Sequence, residues 1–148
     1  MKVLIQRVSH ASVSVDGAQV AQIKTGLLAF VGIAKGDTPV EAEWMVNKLL
    51  KLRIFEDDDG KMNRSVLDIK GEVLLVSQFT LCGDVRKGAR PSFGGAMPPE
   101  QAKVFFEDFV GLVGQHIAIQ KGVFQAHMEV SLCNDGPVTL MLERSPEA

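Results

Sequence analysis

The sequence predicts an α+β fold: a single domain in which a mixed or antiparallel β-sheet packs with two main helices. Helical patterning occurs only twice, beginning at Thr38-Pro39 and at Pro98-Pro99, whereas strand patterning recurs before, between and after these two segments. Turn signals such as Asp16-Gly17 join neighbouring strands, and the resulting order of strands, helix, strands, helix, strands suits layered α+β packing better than a doubly wound parallel sheet. The 148 residues, 46% hydrophobic and 23% charged, are enough for one folded domain with a real core.

Taken in order, Val3 and Ile5 alternate with polar neighbours, and Ala11, Val13 and Val15 do so again before Asp16-Gly17, which predicts two early strands and a hairpin turn. LLAFVGIA, residues 27 to 34, is apolar on both faces and reads as a central strand covered on both sides. Thr38, Pro39 and Glu41 supply a cap, a first-turn proline and a capping-box glutamate, so a helix starts there with Met45, Leu49 and Leu52 on one face. EDDDG, residues 56 to 60, lacks the alternating ligands and distal glutamate of a calcium loop and reads as a solvated turn. EVLLVSQFTL, residues 72 to 81, is a second buried strand leading into the long Gly/Pro-rich loop CGDVRKGARPSFGGAMPP. Loops of that length inside compact domains tend to carry function. Ala102, Phe105, Phe106, Phe109, Leu112 and Val113 then keep helical spacing and read as core. Met128, Val130 and Leu132 alternate on one strand, NDGP forms a turn, and VTLMLE is the last strand.

Composition also restricts function. The N-terminal apolar run is broken by Lys2 and Arg7 and lacks the continuous apolar region of a signal peptide, no run approaches membrane-spanning length, and Cys82 and Cys133 lack CxxC spacing. These features point to a cytoplasmic protein with free thiols and no membrane partner. A net charge of −2 argues against coating DNA or RNA by bulk electrostatics, leaving room for a local basic patch. His10, His116 and His127 have no paired metal-binding spacing, so no metal is expected, and no Walker, GxGxxG or GxSxG motif is present, so no cofactor is expected either. Ser77, Thr80 and Cys82 are nucleophile candidates without an identified base.

Two stretches stand out. In SQFTL, residues 77 to 81, polar residues interrupt an apolar strand just before the basic loop, where backbone N–H groups and hydroxyls can meet a ligand. In NDGPVT, residues 134 to 139, Gly136 permits close approach to the backbone and Pro137 stiffens it.

VSQFTL (76 to 81), GARPSF (88 to 93), GVFQAHMEVSL (122 to 132) and NDGPVT (134 to 139), in that order and after the MKVLIQRV segment, resemble the D-aminoacyl-tRNA deacylase family over essentially the whole chain. The resemblance implies a barrel-like sheet with two helices and a metal-independent homodimer. The implied activity is hydrolysis of the ester between a D-amino acid and the 3'-terminal adenosine of tRNA, extending to glycyl-tRNA mischarged on tRNA for alanine. Ser77, Gln78, Phe79 and Thr80 would form the catalytic strand end, with main-chain N–H groups near Phe79 and Thr80 holding the scissile carbonyl. Gly136-Pro137, with Val138 and Thr139, would form a cis-peptide motif entering the partner subunit's pocket. Arg7 would brace that motif, and Ala102, Phe124 and Met128 would complete an adenine pocket. The substrate's own 2'-hydroxyl would replace a protein base. Arg86, Lys87 and Arg90, with Lys48, Lys51 and Arg53, are candidates for phosphate contact. Two other readings stand beside this one: a non-catalytic dimeric module binding RNA ends, and a thiol hydrolase using Cys82 with a histidine.

Overall fold

The protein is described by a computed structural model covering residues 1–147. In chain order its elements are β1 (Lys2–Val15), β2 (Ala18–Ile23), β3 (Gly26–Gly32), α1 (Pro39–Lys51), β4 (Phe55–Glu56), β5 (Met62–Arg64), β6 (Glu72–Ser77), a 3-10 helix (Phe79–Cys82), α2 (Pro99–Gly114), β7 (Ala118–Lys121) and β8 (Glu129–Glu143). The main sheet runs β2-β1-β3-β6-β7, with β8 on the other side of β1, and it curls into a nearly closed, barrel-like layer. Pairing along β1 is antiparallel, whereas β3–β6 and β6–β7 are parallel. Parallel neighbours need a crossover. The chain reaches β6 from β3 through α1 and reaches β7 from β6 through α2, so the two expected helices serve the two parallel pairings.

The two early strands expected from the sequence are one. In β1, Val3 and Ile5 belong to the core cluster that packs against the helices, while Val8, Ala11 and Val13 belong to a second cluster with Leu28 and Leu74. A register shift against β8 between Val8 and His10 changes the phase. Because side chains alternate with period two, one surplus residue sends odd-numbered side chains to the other face. The first half of β1 therefore pairs with β3 and its second half with β2.

LLAFVGIA behaves as expected: Leu27, Leu28, Ala29 and Val31 are buried on alternating faces of β3. On α1, Ala42, Met45, Val46, Leu49 and Leu50 are buried; on α2, Ala102, Phe106, Phe109, Val110 and Val113 are. EDDDG forms a tight connection between β4 and β5, with Asp57 accepting the N–H groups of Asp59 and Lys61.

The capping box is complete. Thr38 Oγ1 accepts the Val40 N–H at 3.2 Å, Glu41 Oε2 accepts the Thr38 N–H at 2.9 Å, and the Thr38 hydroxyl donates to the same carboxylate. That hydroxyl bond is the main cause holding the Glu41 carboxyl below its ordinary value. A depressed folded-state value means the carboxylate's contribution is present above the ordinary glutamate pKa and lost as pH falls through the lowered one. Thr38→Ala is expected to destabilise the protein by about 1 kcal/mol in chemical denaturation at neutral pH, the usual worth of an N-cap; no shift of the midpoint would contradict the role.

Candidate active site

A cavity of about 590 Å³ opens where β3 and β6 end. Its floor comes from Val31 and Val76, and one wall comes from the start of α2 through Pro99 and Ala102. The opposite wall is the segment that follows β7, through Phe124, Gln125, His127 and Met128. Phe79 and Phe93 stand on its rim side. Of the residues singled out from the sequence, Ser77, Gln78, Phe79, Ala102, Phe124 and Met128 line this one space. Gly122 lies behind Met128, so close that a Cβ there would come within 2.6 Å of the Met128 sulfur.

The strand expected to run through Leu81 stops at Ser77. The Gln78 N–H still reaches the Val31 carbonyl at 2.7 Å, but the chain then turns into the 3-10 helix, closed by Leu81 N–H to Gln78 O at 3.2 Å and Gly83 N–H to Thr80 O at 3.0 Å. The first amides of any helix have no partner within it. Those of Phe79 and Thr80 donate to no acceptor among the described residues. The Thr80 side chain is exposed and its hydroxyl accepts a hydrogen bond from Gln78 Nε2.

NDGPVT does not reverse the chain, contrary to the hairpin expected from its turn residues. Both flanks belong to β8 and pair with β1: Asn134 sits opposite Val8 and Thr139 opposite Gln6. Residues 135 to 138 are surplus to the ladder and arch out of it. The Asn134 amide closes the arch by donating to Val138 O at 3.0 Å and to Arg7 O at 3.2 Å. Val138 is buried and anchors the arch in the core, whereas Gly136 and Pro137 are exposed and joined by a cis peptide. Arg7 is buried beneath; its Nε donates to the Asp135 carbonyl at 3.1 Å and its NH1 to the Ile54 carbonyl at 2.7 Å. Gly136, Pro137, Val138, Thr139 and Arg7 are therefore grouped with one another and do not line the cavity of their own chain.

The long loop is ordered by backbone pairing of Asp84 with Ser92 at 2.7 and 2.8 Å. Of its three cations, Arg86 is taken up by Asp84, with NH2 to Oδ2 at 2.7 Å, and this guanidinium holds the Asp84 carboxyl down to about 2. Lys87 and Arg90 remain exposed and outside the ion pairs of the described residues. Lys48 and Arg144 instead flank the Trp44 ring, 5.3 and 5.4 Å from its centroid.

Cys82 is a poor nucleophile here. Burial pushes its thiol above the ordinary value, the opposite of what a reactive thiolate needs, and it does not line the cavity. No group of three His, Cys, Asp or Glu side chains converges on a metal-sized space among the described residues, and no described helix is long and apolar enough to cross a membrane. Phe93, Gln125 and His127 are lining residues not assigned individually from the sequence; GARPSF and GVFQAHMEVSL, which contain them, were the only signal.

A nearly closed mixed sheet backed by two helices, with an apolar cavity where β3 and β6 end, defines a single-domain α+β protein with room for a small ligand. The family model described as "D-Tyr-tRNA(Tyr) deacylase" matches residues 4–143, and the chain belongs to that family. It is 59% identical over 146 residues to a D-aminoacyl-tRNA deacylase of Chloroherpeton thalassium, covering 97% of this chain and 95% of the relative. It is 54% identical over 146 residues to one of Thermotoga petrophila, with 98% of each chain covered. A solved structure described as a "c-Myc DNA Unwinding Element Binding Protein" superposes with a TM-score of 0.94 at 45% identity, covering 99% of this chain and 100% of that one. Another, described as "a probable eukaryotic D-amino acid tRNA deacylase", has a TM-score of 0.76 at 18% identity, covers 95% and 97%, and bears on the fold alone.

Proposed function

We propose that the protein hydrolyses the ester linking a D-amino acid to the 3'-terminal adenosine of tRNA, releasing free tRNA and the D-amino acid. The observation that carries the reading is the pair of Phe79 and Thr80 amides just past β6, unpartnered among the described residues, of which Phe79 lines the same cavity as the apolar side chains of Ala102, Phe124 and Met128. Adenine fits the apolar part, and the carbonyl of the ester lies toward the amides. Preorganised donors at a developing oxyanion are worth about 3 to 4 kcal/mol each. Ser77 and His127 both line the cavity, but no hydrogen bond joins them among the described residues, so positioning and the substrate's own 2'-hydroxyl activate water in place of a nucleophile–base pair. Ser77 and Gln78 shape the strand end, and no metal or cofactor takes part.

Chirality is read by the arch. Gly136 and Pro137 enter the cavity of a second copy and occupy the space an L side chain needs, so discrimination works through a built-in clash. Glycine has no side chain to exclude, and glycyl-tRNA mischarged on tRNA for alanine is therefore a substrate. Support for the homodimer comes from β8, a 15-residue strand that pairs only with β1 among the described residues and exposes Leu140 and Met141. Long exposed edges of this kind are templates for pairing with another chain.

Incubation with D- and L-tyrosyl-tRNA tests the reading. Release of tyrosine from the D ester alone is expected; equal hydrolysis of both, or of neither, overturns it. Thr80→Ala is expected to keep turnover within about tenfold of wild type, the worth of one neutral hydrogen bond of about 1 kcal/mol. Complete loss in a folded Thr80→Ala variant would restore the side chain as nucleophile. Tight binding of uncharged tRNA without any turnover would favour a non-catalytic RNA-end module. DNA binding, suggested by the description of the 45%-identical structure, is disfavoured by the net charge of −2.

A further inference from the structure

Two aromatic rings that line the cavity also face solvent at its opening. Phe79 and Phe93 meet edge to face, centroids 5.2 Å apart and planes at 72°, and are 58% and 40% exposed. Single exposed apolar side chains are common, but a mutually packed pair at the opening of a cavity marks a contact surface. The pair is built into the backbone. Gly83 lies against Phe93 so closely that a Cβ there would come within 2.9 Å of ring atom Cε1. Phe93 leaves directly from the paired Asp84 and Ser92. The same closed loop holds Lys87 and Arg90, and because Arg86 already neutralises Asp84, its outward charge is positive. Arg90 stands three residues from Phe93, at most about 11 Å away even in fully extended chain.

We propose that Phe93, with Phe79, forms a stacking platform for the nucleobase that precedes the terminal adenosine of the bound RNA, with Lys87 and Arg90 set against the adjoining phosphates. The proposal rests on the reading that the cavity takes the terminal adenosine. An RNA whose last nucleoside occupies the cavity must leave through its mouth, and the surface there combines π-faces with exposed cations outside the ion pairs of the described residues. That combination binds single-stranded nucleic acid, stacking being tolerant of base identity. Phe93 is thus a binding residue for the body of the substrate, outside the reacting atoms.

The test compares 3'-O-(D-tyrosyl)-adenosine, which ends inside the cavity, with the same ester on a cytidylyl-adenosine dinucleotide, using wild type, Phe93→Leu and Phe93→Tyr. Wild type is expected to favour the dinucleotide by about tenfold in kcat/KM, chiefly through KM. Phe93→Leu, which keeps apolar bulk without a π-face, is expected to abolish that preference, and Phe93→Tyr to keep it. Equal kcat/KM for the two esters in wild type, or an undiminished preference in Phe93→Leu, overturns the proposal. Failure of the underlying reading looks different: wild type would cleave D-tyrosyl-tRNA but neither short ester, and the proposal would fall with it.

Discussion

Arg7→Ala is expected to lower stability by about 2 to 3 kcal/mol and to reduce the preference for D- over L-tyrosyl-tRNA at least tenfold. The side chain is 5% exposed, and its guanidinium spans two parts of the chain that share no strand pairing: the Ile54 carbonyl at 2.7 Å and the Asp135 carbonyl at 3.1 Å. Hydrogen bonds from a charged donor contribute about 1.5 to 3 kcal/mol each, and truncation leaves the Ile54 carbonyl buried without its partner. The contact with the Asp135 carboxylate adds little, because that side chain is 56% exposed and solvent screens the pair. The effect on selectivity has a separate origin. Asn134 and Val138 fix the base of the arch, whereas Arg7 is the one side chain among the described residues that bonds to Asp135 within it. On the proposed role of the arch as a wall against L side chains, an arch free to move gives way to them. Arg7→Lys separates the two effects: one ammonium cannot replace a fork that reaches two carbonyls, so stability recovers in part while the D/L ratio stays low. The measurements are denaturant midpoints and paired single-turnover rates on the two esters. A tenfold loss on both esters with an unchanged ratio would assign Arg7 a structural role only.

How much of this was legible in the sequence follows the distance over which each feature is determined. The Thr38/Glu41 box spans three residues, and its pattern predicts the start of α1 correctly. The two alternating runs in β1 were visible, but their joining into one strand was not, because the phase change is absorbed by a slip against β8, more than a hundred residues away. Gln78 and Phe79 suit a strand, and only the surroundings end it: the Gln78 N–H is the last to reach β3, and the next residues begin a 3-10 helix. NDGPVT is a correct reading of local turn propensity with a wrong consequence. Turn residues also build an outward arch when both flanks find the same neighbouring strand, and that choice belongs to β1. The Arg7 brace, acting across a sequence separation of 128, has no local signature at all. It entered through family resemblance, as did the grouping of Ala102, Phe124 and Met128 around one cavity.

Gly26→Ala is expected to be the most disruptive single-methyl change in the sheet, costing at least about 3 kcal/mol, the upper range for overpacking. Gly26 opens β3 opposite Glu72 in the parallel pairing with β6, and a Cβ at this position would lie 1.8 Å from the Glu72 carbonyl oxygen and 2.8 Å from its carbonyl carbon and amide nitrogen. Those atoms are backbone, so no rotamer change relieves the overlap; either the strands part or the segment shifts. Parting them also strains the Glu72 N–H bond to Thr25 O at 3.2 Å, which fastens the same end of the ladder. Gly17 provides the comparison, because nothing lies within 4 Å of its added Cβ and the obstacle is its φ of +78°, a cost of about 1 to 2 kcal/mol for an L residue. For a chain of this size, 3 kcal/mol corresponds to a fall of roughly 10 °C in Tm, readable by thermal unfolding, against a few degrees for Gly17→Ala. The consequence extends to the cavity, because the far ends of these two strands, at Val31 and Val76, form its floor. Movement at Gly26 is passed along two rigid strands to the Gln78 turn, so residual folded Gly26→Ala protein should also show a reduced kcat. A Gly26→Ala midpoint within 2 °C of wild type, about the size of a neutral surface change, would mean that β3 and β6 separate at that end at little cost.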